Sequence, residues 1–292
     1  MIKVDFLICG RRGFDVLKHH IKTHSTQAVN VVASYADKKV ANDPYDELVS
    51  FCREHSILFK VKEDYNFNED VYRVVIGWQW MFPANNKTIV LHDSLLPKYR
   101  GFSPLANSLI KGEHELGVTA FITTEGFDEG PIVGQEKISI DYPMIIIKAM
   151  ELITPLYISL CEFIVNQLNA GGPLPAVEQD HYLATYSLWR DEADYSIDWN
   201  SSAEQIRRFI DAVGYPYSGA ISLLNGEKIC IKSAEIFGDV NIENRTAGKV
   251  IFIKNNCPVI VCKEGLLKIT EASNSVTGLS IIPFTKIRSR FH

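Results

Sequence analysis

One histidine with acid–base potential lies at the end of an aliphatic run. Residues 88–91 are β-branched or aliphatic, which is typical of the end of a buried strand, and His92 and Asp93 follow directly. Lys98 and Arg100 add two cations a few residues later. Ligands of parallel α/β sheets bind beyond the carboxyl ends of the strands. An imidazole at such an end can transfer protons near neutral pH, so His92 is the first candidate catalytic residue.

A second candidate is an aspartate in the stretch "TTEGFDEGPIVGQ", residues 123–135. Asp128 lies between Gly126 and Gly130 in a predicted loop between two strands, and such glycines allow a close approach of backbone to ligand. Most aspartates in surface turns only shape the turn. Asp128 becomes a candidate catalytic residue because it occurs together with His92.

Two other stretches contain candidate binding residues. In "GWQWMFP", residues 77–83, Trp78 and Trp80 point to one side of a strand end and Gln79 to the other, which suits either core packing or a pocket for a flat ring. In "CGRRG", residues 9–13, the GxGxxG pattern is absent, so a strand-to-helix turn is the simpler interpretation. Its two arginines could still contact a phosphate at the helix N-terminus.

Strands and helices alternate through the first part of the chain, which predicts a Rossmann-like, mostly parallel sheet with helices on both faces. The predicted strands cover residues 2–10, 30–35, 58–66, 72–80, 87–94 and 116–124. The predicted helices cover residues 11–24, 43–57, 103–112 and 144–168, with Pro155 as a kink or a junction in the last.

The pattern changes after residues 170–175. A helix is predicted over residues 201–214, with Ser201 and Glu204 as a capping box, and short strands follow that favour a small OB-like barrel. We therefore predict a catalytic domain over residues 1–185, a linker over 186–201 and a C-terminal OB-like domain over 202–292.

Composition restricts the class of protein. The net charge of −5 argues mildly against a protein that wraps nucleic acid. The charge is uneven, with −9 in residues 1–201 and +4 in residues 202–292, and the basic second part could face phosphate, although a solvated surface is the simpler interpretation. The start of the chain has no signal-peptide pattern, and the most apolar stretch is interrupted by charges, so no membrane span is expected. The six cysteines lie mostly in apolar runs without CxxC spacing. They predict a reduced, cytoplasmic protein without a metal site.

The stretch "LHDSLLPKYRG", residues 91–101, resembles the HxSLLPxYRG motif of the 10-formyltetrahydrofolate-dependent formyltransferases. Residues 127–135 are similar to the D-x-G loop of that family. Residues 197–199 ("IDW") and 215–220 ("YPYSGA") resemble the start of the C-terminal domain in methionyl-tRNA and sugar-nucleotide formyltransferases. The resemblance thus extends over nearly the whole chain.

The resemblance implies the transfer of a formyl group from N10-formyltetrahydrofolate to a primary amine. His92 and Asp128 match the family's catalytic residues, and the pterin of the folate is expected between the strand end at residues 80–82 and the loop of Asp128. The expected cofactor-binding residues are Trp80, Met81, Phe82, Gly126, Phe127 and Asp128. The expected substrate-binding residues are Arg11, Arg12, Trp78, Ser94, Lys98, Arg100, Trp189 and Arg190.

One position departs from the family pattern. The family has asparagine two residues before the histidine, where its amide polarises the formyl oxygen, and this chain has Val90. Valine cannot donate a hydrogen bond. Gln79 is the expected replacement and completes the predicted catalytic set, with protonated His92 as the other candidate. A non-catalytic folate-binding homologue is the reading that Val90 alone would support.

Several acceptor amines are compatible with the family. Methionyl-tRNA calls for a basic groove, because tRNA affinity rests largely on phosphate contacts. Glycinamide ribonucleotide enzymes usually lack the second domain. We favour a nucleotide-linked 4-amino-4,6-dideoxy sugar of surface-glycan biosynthesis, with methionyl-tRNA formyltransferase as the alternative and a formyltetrahydrofolate hydrolase as a minor one. The expected partners are small molecules, with neither nucleic acid nor membrane among them, and a homodimer is left open.

Overall fold

The computed structural model describes residues 1–292, and these form two compact units. The first unit comprises residues 1–105, 114–140 and 148–189. The second comprises residues 106–113, 141–147 and 190–292. Residues 106–113 and 141–147 therefore belong with the C-terminal part of the chain, whereas the division predicted from the sequence assigns them to the first domain.

A seven-stranded mixed sheet forms the centre of the first unit. Its strands are β1 (Val4–Ile8), β2 (Val29–Ser34), β3 (Phe59–Val61), β4 (Arg73–Ile76), β5 (Asn85–His92), β7 (Glu115–Thr123) and β8 (Ile132–Ser139). The spatial order is β3-β2-β1-β4-β5-β7-β8. The four pairings among β1 to β5 are parallel, and the two that involve β7 are antiparallel. The mostly parallel sheet predicted from the sequence is confirmed.

Burial explains the central strands. All five residues of β1 and all four of β4 are buried, as expected for parallel strands covered on both faces. The predicted strands over 58–66 and 72–80 are too long. Gly77 takes a φ of +68°, which ends β4 at Ile76, and residues 62–64 form a 3₁₀ turn instead of extending β3.

Four helices begin in or cross the first unit: α1 (Gly10–His24), α2 (Tyr45–Glu54), α3 (Pro104–Lys111) and α4 (Ile146–Asn169). A two-residue ladder also pairs β6 (Arg100–Gly101) with β9 (Tyr186–Ser187). Helix α4 continues through Pro155, where a kink or junction was predicted. Pro155 is exposed, so the carbonyl that loses its amide donor there can bond to water.

Helix α4 is also long and apolar enough to cross a membrane by length and composition alone. Its buried residues recur every three or four positions, as on the inner face of an amphipathic core helix. They include Ala149, Ile153, Tyr157, Leu160, Ile164 and Leu168. Lys148 and Glu151 form an ion pair on the exposed side. We therefore interpret α4 as a core helix of the first unit.

A five-stranded antiparallel sheet forms the second unit. Its strands are β10 (Ala220–Leu224), β11 (Glu227–Phe237), β12 (Val250–Lys254), β13 (Cys257–Val261) and β14 (Leu266–Asn274), in the order β10-β11-β14-β13-β12. Residues 289–292 close this sheet. His292 exchanges backbone hydrogen bonds with Leu223 in β10, while Phe291 N bonds to Gly248 O and Val250 N to Ser289 O at the other edge.

Helix α5 (Ala203–Val213) contributes Ile206 and Ile210 to the core of the second unit. Its capping box involves Ser202 and Gln205, one residue later than the predicted Ser201 and Glu204. The shift follows from backbone geometry, because Ser202 is the extended residue whose hydroxyl accepts from the amide of Gln205 at 3.2 Å.

Candidate active site

His92 is the last residue of β5, at the edge where the parallel strands end. Its backbone pairs with Thr119 in β7, and the residue is only 8% exposed. The Nε2 atom lies 2.9 Å from the carbonyl oxygen of Tyr99. A carbonyl only accepts, so Nε2 carries the proton of the neutral ring and Nδ1 carries the lone pair.

Asp128 faces that second nitrogen. Its Oδ2 atom lies 3.5 Å from His92 Nδ1 and accepts a 2.7 Å hydrogen bond from Gly101 N. Strand β7 passes beside His92 at Thr119 and ends at Thr123. The loop that follows, residues 124–131, brings Asp128 back to the His92 ring. Asp128 has a φ of +51°, a conformation that aspartate and asparagine tolerate better than most residues. The structure thus brings together the two residues predicted as the catalytic pair.

A buried glutamine supports the loop of Asp128. The Gln179 amide nitrogen donates to the carbonyl oxygens of Asp128 and Gly130, at 2.9 and 2.8 Å. Its Oε1 atom accepts from Nε and Nη2 of Arg100, at 3.1 and 2.7 Å. Sequence reasoning missed Gln179, since a lone glutamine outside any helix or strand has no local pattern.

Arg100 has a different position from the one predicted for a substrate-binding cation. Its side chain is fully buried, and besides Gln179 it contacts His181 Nδ1 at 3.3 Å and Glu129 at 3.9 Å. A guanidinium held in this way is unavailable to a phosphate. We therefore correct the prediction: Arg100 positions the Asp128 loop through Gln179.

Two glycines are required by close backbone approaches near the pair. Gly101 has a φ of +97°, and a Cβ atom there would lie 2.5 Å from the carbonyl oxygen of Ser187. A Cβ atom on Gly130 would lie 1.8 Å from the carbonyl oxygen of Ile122. At Gly126 the nearest atoms belong to the flexible side chain of Glu129, so sterics do not require a glycine there.

An aromatic cluster follows β4. Trp78 lies edge-on to Trp80 at 5.7 Å between ring centroids and is stacked with Phe82 at 6.0 Å. Trp80 also contacts Tyr35 edge-on, and Lys62 lies over its ring at 3.6 Å. Three residues of the predicted folate site present apolar surface to solvent, namely Trp80, Met81 and Phe127.

Val90 and Gln79 occupy different surroundings. The Val90 side chain packs with Trp78 and Phe82 against the small core of Leu7, Ala33 and Val75. Gln79 is exposed, and its amide nitrogen donates to Asp37 Oδ2 at 3.3 Å. One of the two N–H donors of the Gln79 amide is used by Asp37, and the other is the one that could act on a formyl oxygen while this contact holds.

The two arginines at the start of α1 both form ion pairs. Arg11 makes two 2.8 Å hydrogen bonds to Glu47, at the surface. Arg12 pairs with Asp93 at 2.8 Å, and the hydroxyl of Tyr157 donates to the other oxygen of that carboxylate. Burial, then the Asp93 charge, raises the pKa of Tyr157, which keeps it a donor. Arg12 therefore orders the residue next to His92, and a phosphate would compete with these carboxylates.

The other predicted substrate contacts are dispersed. Ser94 is buried, and its hydroxyl donates to the carbonyl oxygen of Lys98 at 2.7 Å. Lys98 itself is exposed. Trp189, in the first unit, is 61% exposed, and Arg190, in the second unit, donates to Asn107 Oδ1 at 2.6 Å. Lys98 and Trp189 remain predictions on exposed positions.

The first unit thus holds an imidazole and a carboxylate side by side at the carboxyl edge of its mixed sheet, and the second unit is built on an antiparallel sheet. Residues 71–147 match the Formyl transferase family, and residues 190–277 match its C-terminal domain. The methionyl-tRNA formyltransferase of Carboxydothermus hydrogenoformans is 33% identical over 247 residues, 78% of this chain and 77% of that protein. The chain belongs to the formyl transferase family and is a formyltransferase.

Solved structures share the fold. One is WlaRD, a sugar 3N-formyl transferase crystallised with dTDP and 5-N-formyl-THF. It has a TM-score of 0.68 and 16% identity, and the likeness covers 96% of this chain and 99% of that one. Another is the N-formyltransferase of Helicobacter canadensis with folinic acid and dTDP-3-aminofucose. It has a TM-score of 0.67 and 14% identity, and the likeness covers 92% of this chain and 99% of that one.

Proposed function

We propose that this formyltransferase moves the formyl group of N10-formyltetrahydrofolate to the primary amine of a nucleotide-linked 4-amino-4,6-dideoxy sugar, in the cytoplasm. The charge of the second unit carries the choice of acceptor. With its three segments counted together, that unit contains 14 Lys and Arg against 14 Asp and Glu, a net charge of zero. The +4 of residues 202–292 is cancelled by acidic residues of the other segments, mainly those of residues 190–201.

Many cations of that unit also have carboxylate partners. Lys228, Lys232 and Lys268 pair with Glu192, Glu271 and Glu235, and Arg207 and Arg245 pair with Glu204 and Asp239. Five of the twelve cations in residues 202–292 are therefore engaged within the chain. A surface without excess positive charge is poorly suited to tRNA phosphates, whereas one diphosphate needs only a few donors.

The proposed chemistry rests on the tautomer of His92. Its Nδ1 lone pair accepts the proton that the amine loses as nitrogen bonds to the formyl carbon, while Nε2 stays bonded to the Tyr99 carbonyl. Asp128, 3.5 Å from Nδ1, stabilises the imidazolium that forms. The proton then goes to the departing N10 of tetrahydrofolate, so the transfer needs no covalent enzyme intermediate.

The donor would bind between the aromatic segment after β4 and the Asp128 loop. Trp80 and Phe127 are 42% and 56% exposed, so both present apolar ring surface to solvent. A pterin ring could cover both. The folate compounds bound by the two similar structures support a formyl-folate as the donor.

The replacement for the family asparagine is part of the proposal. If the Gln79 amide donates to the formyl oxygen, Gln79→Leu should lower kcat by roughly 100-fold or more, the usual loss of one oxyanion donor, with little change in folate affinity. Asp37→Asn is the matched control, because it changes the resting partner of Gln79 and leaves the amide in place. An unchanged kcat in Gln79→Leu would exclude Gln79 as the donor.

The acceptor is tested by a direct comparison. Purified protein and N10-formyltetrahydrofolate should formylate at least one nucleotide-linked 4-aminosugar with saturation and little dependence on salt. The 33% identical relative keeps methionyl-tRNA as the alternative, for which affinity should fall steeply with salt, by a log–log slope of about −0.9 per duplex phosphate contact. Formylation of methionyl-tRNA with every aminosugar inert would refute the proposal. Formate release without any acceptor would identify a hydrolase instead.

A further inference from the structure

Two imidazoles and a carboxylate meet between helices α1 and α4 of the first unit. His20 and His24 lie four residues apart, on one face of α1, and Glu162 lies on α4. The potential ligand atoms of the three residues lie within 4.8 Å of one another. His24 Nε2 and Glu162 Oε2 already form a 2.8 Å hydrogen bond. The three residues form a compact set of nitrogen and oxygen donors.

His20 is the unusual member of this set. Its side chain is fully buried, its ring contacts Phe6 at 4.8 Å, and neither ring nitrogen makes a hydrogen bond of normal geometry. A buried polar atom without a partner costs about 1–3 kcal/mol, so such atoms need an explanation. Oε1 of Glu162 is likewise buried without a hydrogen-bond partner.

We propose that His20, His24 and Glu162 bind a zinc ion that ties α1 to α4. Two imidazole nitrogens and one carboxylate oxygen are ligands that Zn²⁺ accepts, whereas Mg²⁺ and Ca²⁺ prefer oxygen alone. Two histidines at positions i and i+4 of a helix present their nitrogens to one ion. Water takes the fourth position, or His19, whose Nε2 lies 3.9 Å from Glu162 Oε1.

Binding requires small movements of side chains. Ligand atoms around tetrahedral zinc, with bonds of about 2.0–2.2 Å, are about 3.3–3.6 Å apart, so a separation of 4.8 Å must close by about 1.2–1.5 Å. His24 must also move its proton from Nε2 to Nδ1, because the ion takes the place of that proton beside Glu162. No sequence pattern indicates the site, because Glu162 lies 138 residues from His24.

The test uses the full chain without a histidine tag, freed of metal by EDTA and dialysis. Titration with Zn²⁺ against a chromophoric chelator should give one site per chain with a Kd below about 1 µM, and Zn²⁺ should raise the melting temperature. Co²⁺ should give the visible bands of tetrahedral coordination without a thiolate charge-transfer band, which excludes the cysteines as ligands. No binding, or a thiolate band, would refute the site.

Variants locate the ion. His24→Ala and Glu162→Gln remove partly exposed ligands and should each weaken Zn²⁺ binding by more than about 100-fold, beyond the roughly 10–100-fold loss that is typical of an indirect contact. His55→Ala is the matched control, because it removes an exposed imidazole that contacts only its own helix end. Full affinity in His24→Ala, or an equal loss in His55→Ala, would contradict the proposal. Both readouts are independent of formyl transfer.

Discussion

The contact between His92 and Asp128 makes a quantitative prediction for Asp128→Asn. Asparagine keeps the shape, tolerates the φ of +51°, and offers an oxygen to Gly101 N, so only the charge is removed. Two unit charges 3.5 Å apart interact by about 1 kcal/mol at the dielectric constant of water and about 5 kcal/mol at an effective constant of 20. Asp128 is partly exposed, so we expect an intermediate loss of about 2.7 kcal/mol, which is about a hundredfold in kcat.

The assay is kcat at saturating N10-formyltetrahydrofolate and acceptor. Folate affinity and melting temperature should stay close to wild type, because the backbone contacts of the loop through Gln179 remain. Glu129→Gln is the matched control, since it removes the same charge from the next residue, which pairs with Arg100. A kcat within threefold of wild type in Asp128→Asn, or an equal loss in Glu129→Gln, would refute the assigned role.

Three further predictions concern stability. Gln179→Leu leaves the Arg100 guanidinium and two loop carbonyls buried without their partner. The free energy of unfolding in urea should therefore fall by about 3 kcal/mol or more, and kcat should fall as well. A loss of stability under about 1 kcal/mol would contradict the support role of Gln179. Gly101→Ala should cost more than about 1 kcal/mol, from its positive φ and the contact with the Ser187 carbonyl, and a neutral effect would contradict this geometry. Burial raises the pKa of Asp211 from 3.8 to about 6, so its contribution to stability is present below about pH 4 and is lost as the pH rises through 6. Asp211→Asn should therefore stabilise the protein at pH 8 by about 1–2 kcal/mol, allowing for partial exposure, with no gain at pH 4; a difference independent of pH would refute this.

The sequence predicted the parts of the site that depend on local pattern. An aliphatic run followed by a polar residue located His92 at the end of β5, and the family motif paired it with Asp128. The supports could not be found in this way, because Gln179 reaches Asp128 across 51 residues. Arg100 was misassigned since a cation next to a glycine resembles a surface loop, and only the fold reveals that it is buried.

Charge was misleading for a related reason. A boundary drawn along the sequence assigned +4 to residues 202–292, whereas the compact unit also includes segments from earlier in the chain. Residues 190–201 contain four acidic residues and one arginine, and these belong to the second unit. Net charge should be counted over the residues of one folded unit. Which residues form that unit is known only from the structure.

The departure at Val90 is explained by the face of β5 that it shares with His92. Residues two apart in a strand point to the same side, and Val90 packs there with Trp78 and Phe82, next to the proposed folate site. An amide at this position would need a polar partner inside an apolar cluster. In the proposed mechanism His92 can replace the missing donor. His92 becomes an imidazolium when it takes the proton of the amine, and negative charge develops on the formyl oxygen in the same step. If that N–H reaches the oxygen, one residue serves as base and as oxyanion donor, and loss of Gln79 would leave kcat unchanged while loss of His92 would abolish transfer.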